Sequence, residues 1–502
     1  MGQFAPKKPS VPPPAPGSNG LCLRTRSLSN LAEEVVLHFT SPVQVADMLA
    51  MSSKLRWEYK KALQVSHQAM LPSYNHTLPS GQETGCYLAL DVGGSTLRVA
   101  LVELGGRSHK APGLKIRRMR VSCIGEAIRG LEGSHFFDWM ATEIGTMLAE
   151  DPLVLSTHQG AIRSGLAWSF PIEQTSLRGG KIQGMGKGFS CSSSVVGQDL
   201  GLLLETACGR RGLNLRVEAI VNDSTATLLC RAYSEPSTSM SLILGTGTNM
   251  AVNLPVSCIS AAKFGSRDES WYAKASNVIV NTEVSMFGQN ILPRTRWDDC
   301  LNGMHKLPDY QPLEYMTTGL YLGEILRLVI LEAVEMAGLF DGNLPQPLQV
   351  PYSLNTSILA MLEEDRSVNM SQSAALLEKT WSLPAPPSDS ELVFLRTVTG
   401  AISSRATAYL AVAIHSLFIL QRETKVTPEI LRGTSRTSIA CNGSVIAKYP
   451  NFKERCEEFI DLMIKTDASD IEGYEEVFDK VVLETVDEGA VLGAAVAVAL
   501  SE

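Results

Sequence analysis

Two glycine-rich turns constrain this chain more than any other feature. Tyr87-Leu88-Ala89-Leu90 runs into Asp91-Val92-Gly93-Gly94-Ser95-Thr96, and Ser241-Leu242-Ile243 runs into Leu244-Gly245-Thr246-Gly247-Thr248-Asn249. Each apolar run reads as a buried strand. Glycine has no Cβ, so backbone N–H groups in such a turn can close on an anion, and a strand entering it can hold a phosphate. Between the two turns an isolated pair, Asn222-Asp223, ends a third apolar run. The spacing predicts two phosphate loops facing each other across a cleft, with a carboxylate between them.

At 502 residues the chain is too long for one core, and its 44% hydrophobic content can fill several. A net charge of −8 argues against nucleic acid as a partner, because phosphate backbones select basic faces. The ten cysteines form no C-x-x-C pair and read as reduced thiols of a cytoplasmic protein, with Cys86, Cys123 and Cys230 as core fillers. No membrane span is expected, since the longest apolar candidate, Gly319 to Phe340, carries Glu324, Arg327, Glu332 and Glu335. Six prolines between Pro6 and Pro16 spoil any amphipathic targeting helix, so residues 1–30 read as a disordered Pro-rich tail.

A helical segment is expected over 31–70, capped by Ser29 or Asn30. Residues 71–222 with 479–502 form a first α/β domain and 223–478 a second, carrying a surface insertion at 258–276. Strand, glycine hairpin and strand recur in both halves, which suggests a duplication. That is the plan of a two-lobed α/β, actin-like ATPase fold (ribonuclease-H-like, duplicated) with a ligand cleft between the lobes.

Phosphoryl transfer needs an attacking hydroxyl, a carboxylate to take its proton, a metal, and donors for the phosphate oxygens. Asp223, ahead of a Ser-Thr-Ala-Thr run, suits the base or a helix N-cap. Asp91 suits a Mg²⁺–water site or ordinary turn chemistry. Arg98 could neutralise phosphate or pair on the surface. Ser169, Lys187, Asn222, Asn249, Glu283 and Glu314 are polar residues beside apolar or glycine-rich runs, and together they suit a polyhydroxylated ligand.

These motifs resemble the eukaryotic hexokinase family from about Leu71 to the C-terminus. The residues carrying the resemblance are Leu88 to Arg98, Trp168 to Ser176, Gly186-Lys187-Gly188-Phe189, Val221-Asn222-Asp223, Gly245 to Asn249, Asn281-Thr282-Glu283, and Leu313 to Met316 with Gly319 to Glu324. The resemblance implies that Asp223 takes the proton of a hexose C6 hydroxyl and that Lys187 orients the sugar. It implies that Ser169, Gly186, Asn222, Asn249, Glu283 and Glu314 bind the sugar. Asp91 would hold Mg²⁺ through water, while Gly93, Gly94, Ser95, Thr96, Arg98, Gly245, Thr246 and Gly247 would lie by the ATP phosphates. Asn442-Gly443-Ser444 is similar to the adenosine motif.

Several departures stand out. Gly186 replaces the usual Thr, Val284-Ser285 the usual Trp-Gly, and Asn442 the usual Asp; the terminal Asp-Gly-Ser-Gly reads Glu488-Gly489-Ala490-Val491. Lost bulk near the sugar implies room for a substituent on C2, so the chain looks most similar to fungal N-acetylglucosamine kinases of that family. The alternatives are a glucose- or fructose-phosphorylating hexokinase or glucokinase, and a catalytically weak sugar sensor. The oligomeric state is left open.

Overall fold

The computed structural model describes residues 26–107, 113–150, 160–186, 188–190, 192–424, 436–469 and 480–501. The Pro-rich stretch to residue 25 and Lys187 lie outside them. The first described elements are helices α1 (Leu28–Thr40) and α2 (Val45–Val65). The cap of α1 is Ser27, upstream of the expected Ser29 or Asn30: its hydroxyl accepts the Asn30 N–H at 3.1 Å.

Beyond a two-residue strand, β1 (Leu71–Pro72), the chain builds a five-stranded sheet. Its members are β2 (Thr84–Val92), β3 (Thr96–Gly105), β4 (Leu114–Cys123), β5 (Ile162–Trp168) and, after a small ribbon of β6 (Ile172–Gln174) and β7 (Gly180–Ile182), β8 (Leu215–Val221). The order is β4-β3-β2-β5-β8; the first three strands run antiparallel and the last two parallel to β2. β2 is buried from Leu88 to Val92, as its unbroken apolar run requires of a strand covered on both faces. One face is covered by α3 (His135–Ala149), which turns Phe136, Phe137, Met140, Ile144 and Met147 inward at helical spacing, and by α4 (Leu200–Gly209), capped by Asp199.

Helix α5 (Asp223–Ser234) leads to a second sheet of β9 (Thr238–Leu244), β10 (Thr248–Pro255), β11 (Asn277–Asn281), β12 (Arg436–Asn442) and β13 (Lys480–Thr485). Its order, β11-β10-β9-β12-β13, with the same pattern of directions, repeats the first sheet strand for strand, and β1 adds an edge beside β11. The helical segments α6 (Arg296–Gly303), α7 (Pro312–Thr317), α8 (Gly319–Ala337) and α9 (Asp389–Thr424) enlarge this half. The last helix, α10 (Gly489–Ala499), follows β13.

Each sheet therefore ends in a helix, and the two helices exchange partners. α5 leaves the first sheet and packs on β9, β10 and β12; α10 leaves the second and packs on β2, β5 and β8. They cross each other where Gly493 meets Ala226, so closely that a Cβ on Gly493 would overlap the Ala226 carbonyl. Gly165 of β5 lies as tightly under Ala494.

Four expectations shift. Because β1 and β13 belong to the second sheet, residues 71–72 and 480–485 leave the first domain, and only α10 returns to it. The 258–276 stretch is a clamp as well as an insertion: Lys263 donates to the Ala62 and Ala69 carbonyls, and Arg267 donates to those of Pro72 and Ser73 while lying over the Tyr74 ring. Cys123 is exposed, because β4 is an edge strand. The longer apolar helix is α9 rather than the 319–340 stretch. It is long and apolar enough to cross a membrane, yet 89% of its most apolar window is buried within the protein, as a core helix would be.

Candidate active site

Both glycine turns are closed by their own backbone. Gly93 N–H donates to the Thr96 carbonyl at 3.0 Å, and Gly245 N–H to the Gly247 carbonyl at 3.0 Å. Around the first turn, Arg129 donates to the Gly94 carbonyl at 3.0 Å and the Ile124 N–H to that of Ser95. Against the second, the N–H of Gly319 at the start of α8 donates to the Gly245 carbonyl at 2.8 Å. Gly443 follows β12 with φ +120°, and a Cβ there would overlap the Leu244 carbonyl. Only glycine fits that approach, which also brings Ser444 beside Gly245. Asn442 is occupied elsewhere: its amide donates to the Val486 carbonyl at 2.7 Å. An ionised Asp has no proton to donate there, which gives this departure a structural reason.

Asp91 is the penultimate residue of β2. Arg98 Nη1 donates to its carboxylate at 3.0 Å and to Thr96 Oγ1 at 3.2 Å. Arg98 Nε in turn lies 2.9 Å from Glu488, which caps α10 in a left-handed conformation. Sequence reading registered Glu488 only as a departure; its pairing with Arg98 depends on the return of α10 to the first sheet. Burial pushes the Asp91 carboxyl up to about 6, opposed by Arg98 and aided by the nearby Asp223 and Glu488 charges.

The two readings of Asp223 are separated by its neighbour. Asn222 is the cap, its Oδ1 accepting the Thr225 N–H at 2.8 Å, and Asp223 is the first residue of α5. The Asp223 carboxylate accepts the Ser224 N–H at 2.8 Å. Its charge acts on Asp91 from one sheet and on Glu283 from the other. Asp223 thus lies within electrostatic reach of both.

On the second sheet a line of amides leads to Glu283. Met250 N–H donates to Asn249 Oδ1 at 2.7 Å, Asn249 Nδ2 to Asn281 Oδ1 at 2.8 Å, and Asn281 Nδ2 to Glu283 Oε1 at 2.8 Å. Glu283 itself has a left-handed backbone, φ +49°, and burial foremost raises its pKa. Asn281 belongs to the Asn281-Thr282-Glu283 motif, and the fold makes it the link between Asn249 and Glu283. Glu314 on α7 accepts the Thr248 N–H at 3.2 Å, in space that Gly247 leaves open: a Cβ on Gly247 would come within 2.8 Å of the carboxylate. Ser169 follows β5, its N–H donating to the Val92 carbonyl at 3.2 Å beside the first turn. Gly186, with φ +50°, has open space around it.

Three linked groups thus converge: Asp91, Arg98 and the 93–96 turn; Asp223 with Asn249, Asn281 and Glu283; and Glu314 with the 245–247 turn and Gly443. Two family models, both described as hexokinase, match this chain, one over residues 33–233 and the other over 239–500. The chain belongs to the hexokinase family. Hexokinase-2 of Oryza sativa subsp. japonica is 30% identical over 85% of this chain and 82% of its own length. Hexokinase-2 of Candida albicans is 31% identical over 86% and 84%. A solved structure titled as the hexokinase from Schistosoma mansoni complexed with glucose superposes with a TM-score of 0.76 at 27% identity, covering 95% of this chain and all of that one. Membership settles the two-lobed fold. These relatives are named hexokinases, not N-acetylglucosamine kinases, so the finer resemblance to the latter gains nothing from them.

Two of the three residues behind that finer resemblance are spent elsewhere, and Gly186 alone keeps open space around it. Val284 is fully buried in the larger core, and Ser285, equally buried, accepts a hydrogen bond from Gln311 at 3.3 Å.

Proposed function

We propose that this chain is an ATP-dependent hexose kinase acting on the C6 hydroxyl of glucose or a similar unsubstituted hexose. The observation that supports the reading is Asp223 at the first turn of α5, near enough for its charge to act both on Asp91, which pairs with Arg98, and on Glu283, where the Asn249–Asn281 relay ends. Asn249, Glu283, Glu314, Asn222 and Ser169 would accept and donate to the sugar hydroxyls and hold the hexose in one orientation. Asp223 would then take the C6 hydroxyl proton as that oxygen bonds to the γ-phosphorus and the bond to the bridging oxygen breaks, giving hexose 6-phosphate and ADP.

The glycine turns suit the nucleotide phosphates, and Arg98, held by two carboxylates, would face their charge. Asp91 is the carboxylate at the first glycine turn, and among the described residues no group of three His, Cys, Asp or Glu could hold a resident metal. That donor set fits Mg²⁺ arriving with its water shell on the nucleotide. Bound there, Mg²⁺ would neutralise phosphate charge.

Purified protein with MgATP and a panel of glucose, fructose, mannose and N-acetylglucosamine tests the assignment. Faster turnover of glucose is expected. Preference for N-acetylglucosamine would restore the C2-substituent reading, and no turnover of any sugar would favour a sensor.

A further inference from the structure

The loop between α6 and α7 is fastened on both sides of one aromatic residue. Asp309 takes a left-handed backbone, φ +61°. Asn302 holds it there, its Oδ1 accepting the Asp309 N–H at 2.8 Å and its Nδ2 donating to the Asp309 carboxylate at 3.0 Å. Arg294 pairs with the same carboxylate. On the other side Gln311 Nε2 donates to Ser285 Oγ at 3.3 Å, tying the loop to the turn that carries Glu283. Tyr310 lies between the two fastenings and is half-buried. Burial and the neighbouring Glu283 carboxylate raise its phenol pKa, and the Tyr310 phenol acts in turn on Tyr315, next to Glu314. The Gln311–Ser285 bond sets residue 310 beside the turn that carries Glu283, and the helix that starts at Pro312 carries Glu314 four residues on, so Tyr310 lies next to both turns whose carboxylates would hold the sugar.

We propose that Tyr310 is a specificity-determining residue of the hexose pocket, its ring covering an apolar C–H face of the sugar, and that Ser285 positions it through Gln311. This deepens the kinase reading and rests on it. Pyranoses pair polar edges with apolar faces, and an aromatic ring beside hydrogen-bonding carboxylates matches both. A loop already fastened at residues 309 and 311 loses little freedom on binding, so a contact made by the residue between them appears in affinity. Ser285, where the family usually has Gly, gains a task that needs its hydroxyl.

The full-length protein is assayed for sugar KM and kcat at saturating MgATP, for MgATP KM at saturating glucose, and for glucose binding by intrinsic fluorescence without nucleotide. Tyr310→Ala is expected to raise glucose KM and dissociation constant about tenfold, with kcat and MgATP KM within about twofold, because only sugar binding is touched. Tyr310→Phe, which keeps the ring, should stay near the parent protein. Ser285→Gly should weaken glucose about threefold, and Ser285→Thr, which keeps a hydroxyl, should recover most of it. Unchanged glucose affinity in Tyr310→Ala, or an equal rise in MgATP KM, overturns the proposal; Tyr310→Leu serves if the alanine variant does not fold. A parent protein that phosphorylates no hexose overturns the kinase reading, whereas a failed Tyr310 series with an active parent overturns only this inference.

Discussion

Asp223 and Asp91 show how one side-chain type meets two different surroundings within one site. Asp223 lies at a helix N-terminus, where its carboxylate accepts the Ser224 N–H. Asp91 lies buried at a strand end, where desolvation favours the neutral acid and Arg98 opposes it. Replacing Asp223 by Ala should lower kcat by about 10²–10⁴-fold, the usual worth of a positioned base, with glucose KM changed little; steady-state kinetics at saturating MgATP check this. For Asp91 the sign follows from the raised pKa. As pH falls through about 6 the carboxyl takes a proton and its attraction for Arg98 and for a cation is lost. MgATP KM should therefore rise below that pH and level off above it. In Asp91→Asn it should be high throughout without that step, as a pH series of MgATP KM would reveal. Both aspartates were legible in the sequence, because each ends an apolar run at a turn. Glu488 was not, because nothing local to either residue links it to Arg98.

The exchanged helices are the elements on which the site depends. α5 presents Asp223 and α10 presents Glu488, and their crossing at Gly493 and Ala226 sets how those ends sit against the two sheets. Gly493→Val must force the helices apart, since the first atom it adds would occupy the Ala226 carbonyl. A destabilisation of about 1–3 kcal/mol or more is expected, read as a lowered midpoint in denaturant, with MgATP KM raised in whatever folded protein remains. The elements themselves were visible from periodicity: the two hairpins, α3 with its paired phenylalanines, the alanine-rich end. Which sheet each joined was not. β1 and β13 read as parts of the first domain by chain position, and hydrogen bonding to β11 and β12 puts them in the second.

At the scale of the molecule, two copies of one sheet plan face each other, and the larger half is locked by a buried ion pair. Arg405 of α9 donates to both oxygens of Asp298 on α6, one at 2.8 Å, with both side chains almost completely enclosed. Arg405→Met leaves the carboxylate buried with no compensating charge. A loss of about 3–5 kcal/mol is expected, seen in calorimetry as earlier melting, and Asp298→Asn combined with it should cost less than the sum of the two. By itself the sequence determined the glycine turns, the strand-end carboxylates and the duplication, because each is written in neighbouring residues whose spacing sets local geometry. The tertiary structure alone decided that Asn222 rather than Asp223 caps α5, that Asn281 relays Asn249 to Glu283, and that Arg98 meets Glu488 from the opposite end of the chain. Those pairings are made by strands and helices brought together from distant segments, and the burial that binds them depends on shapes that no local pattern encodes.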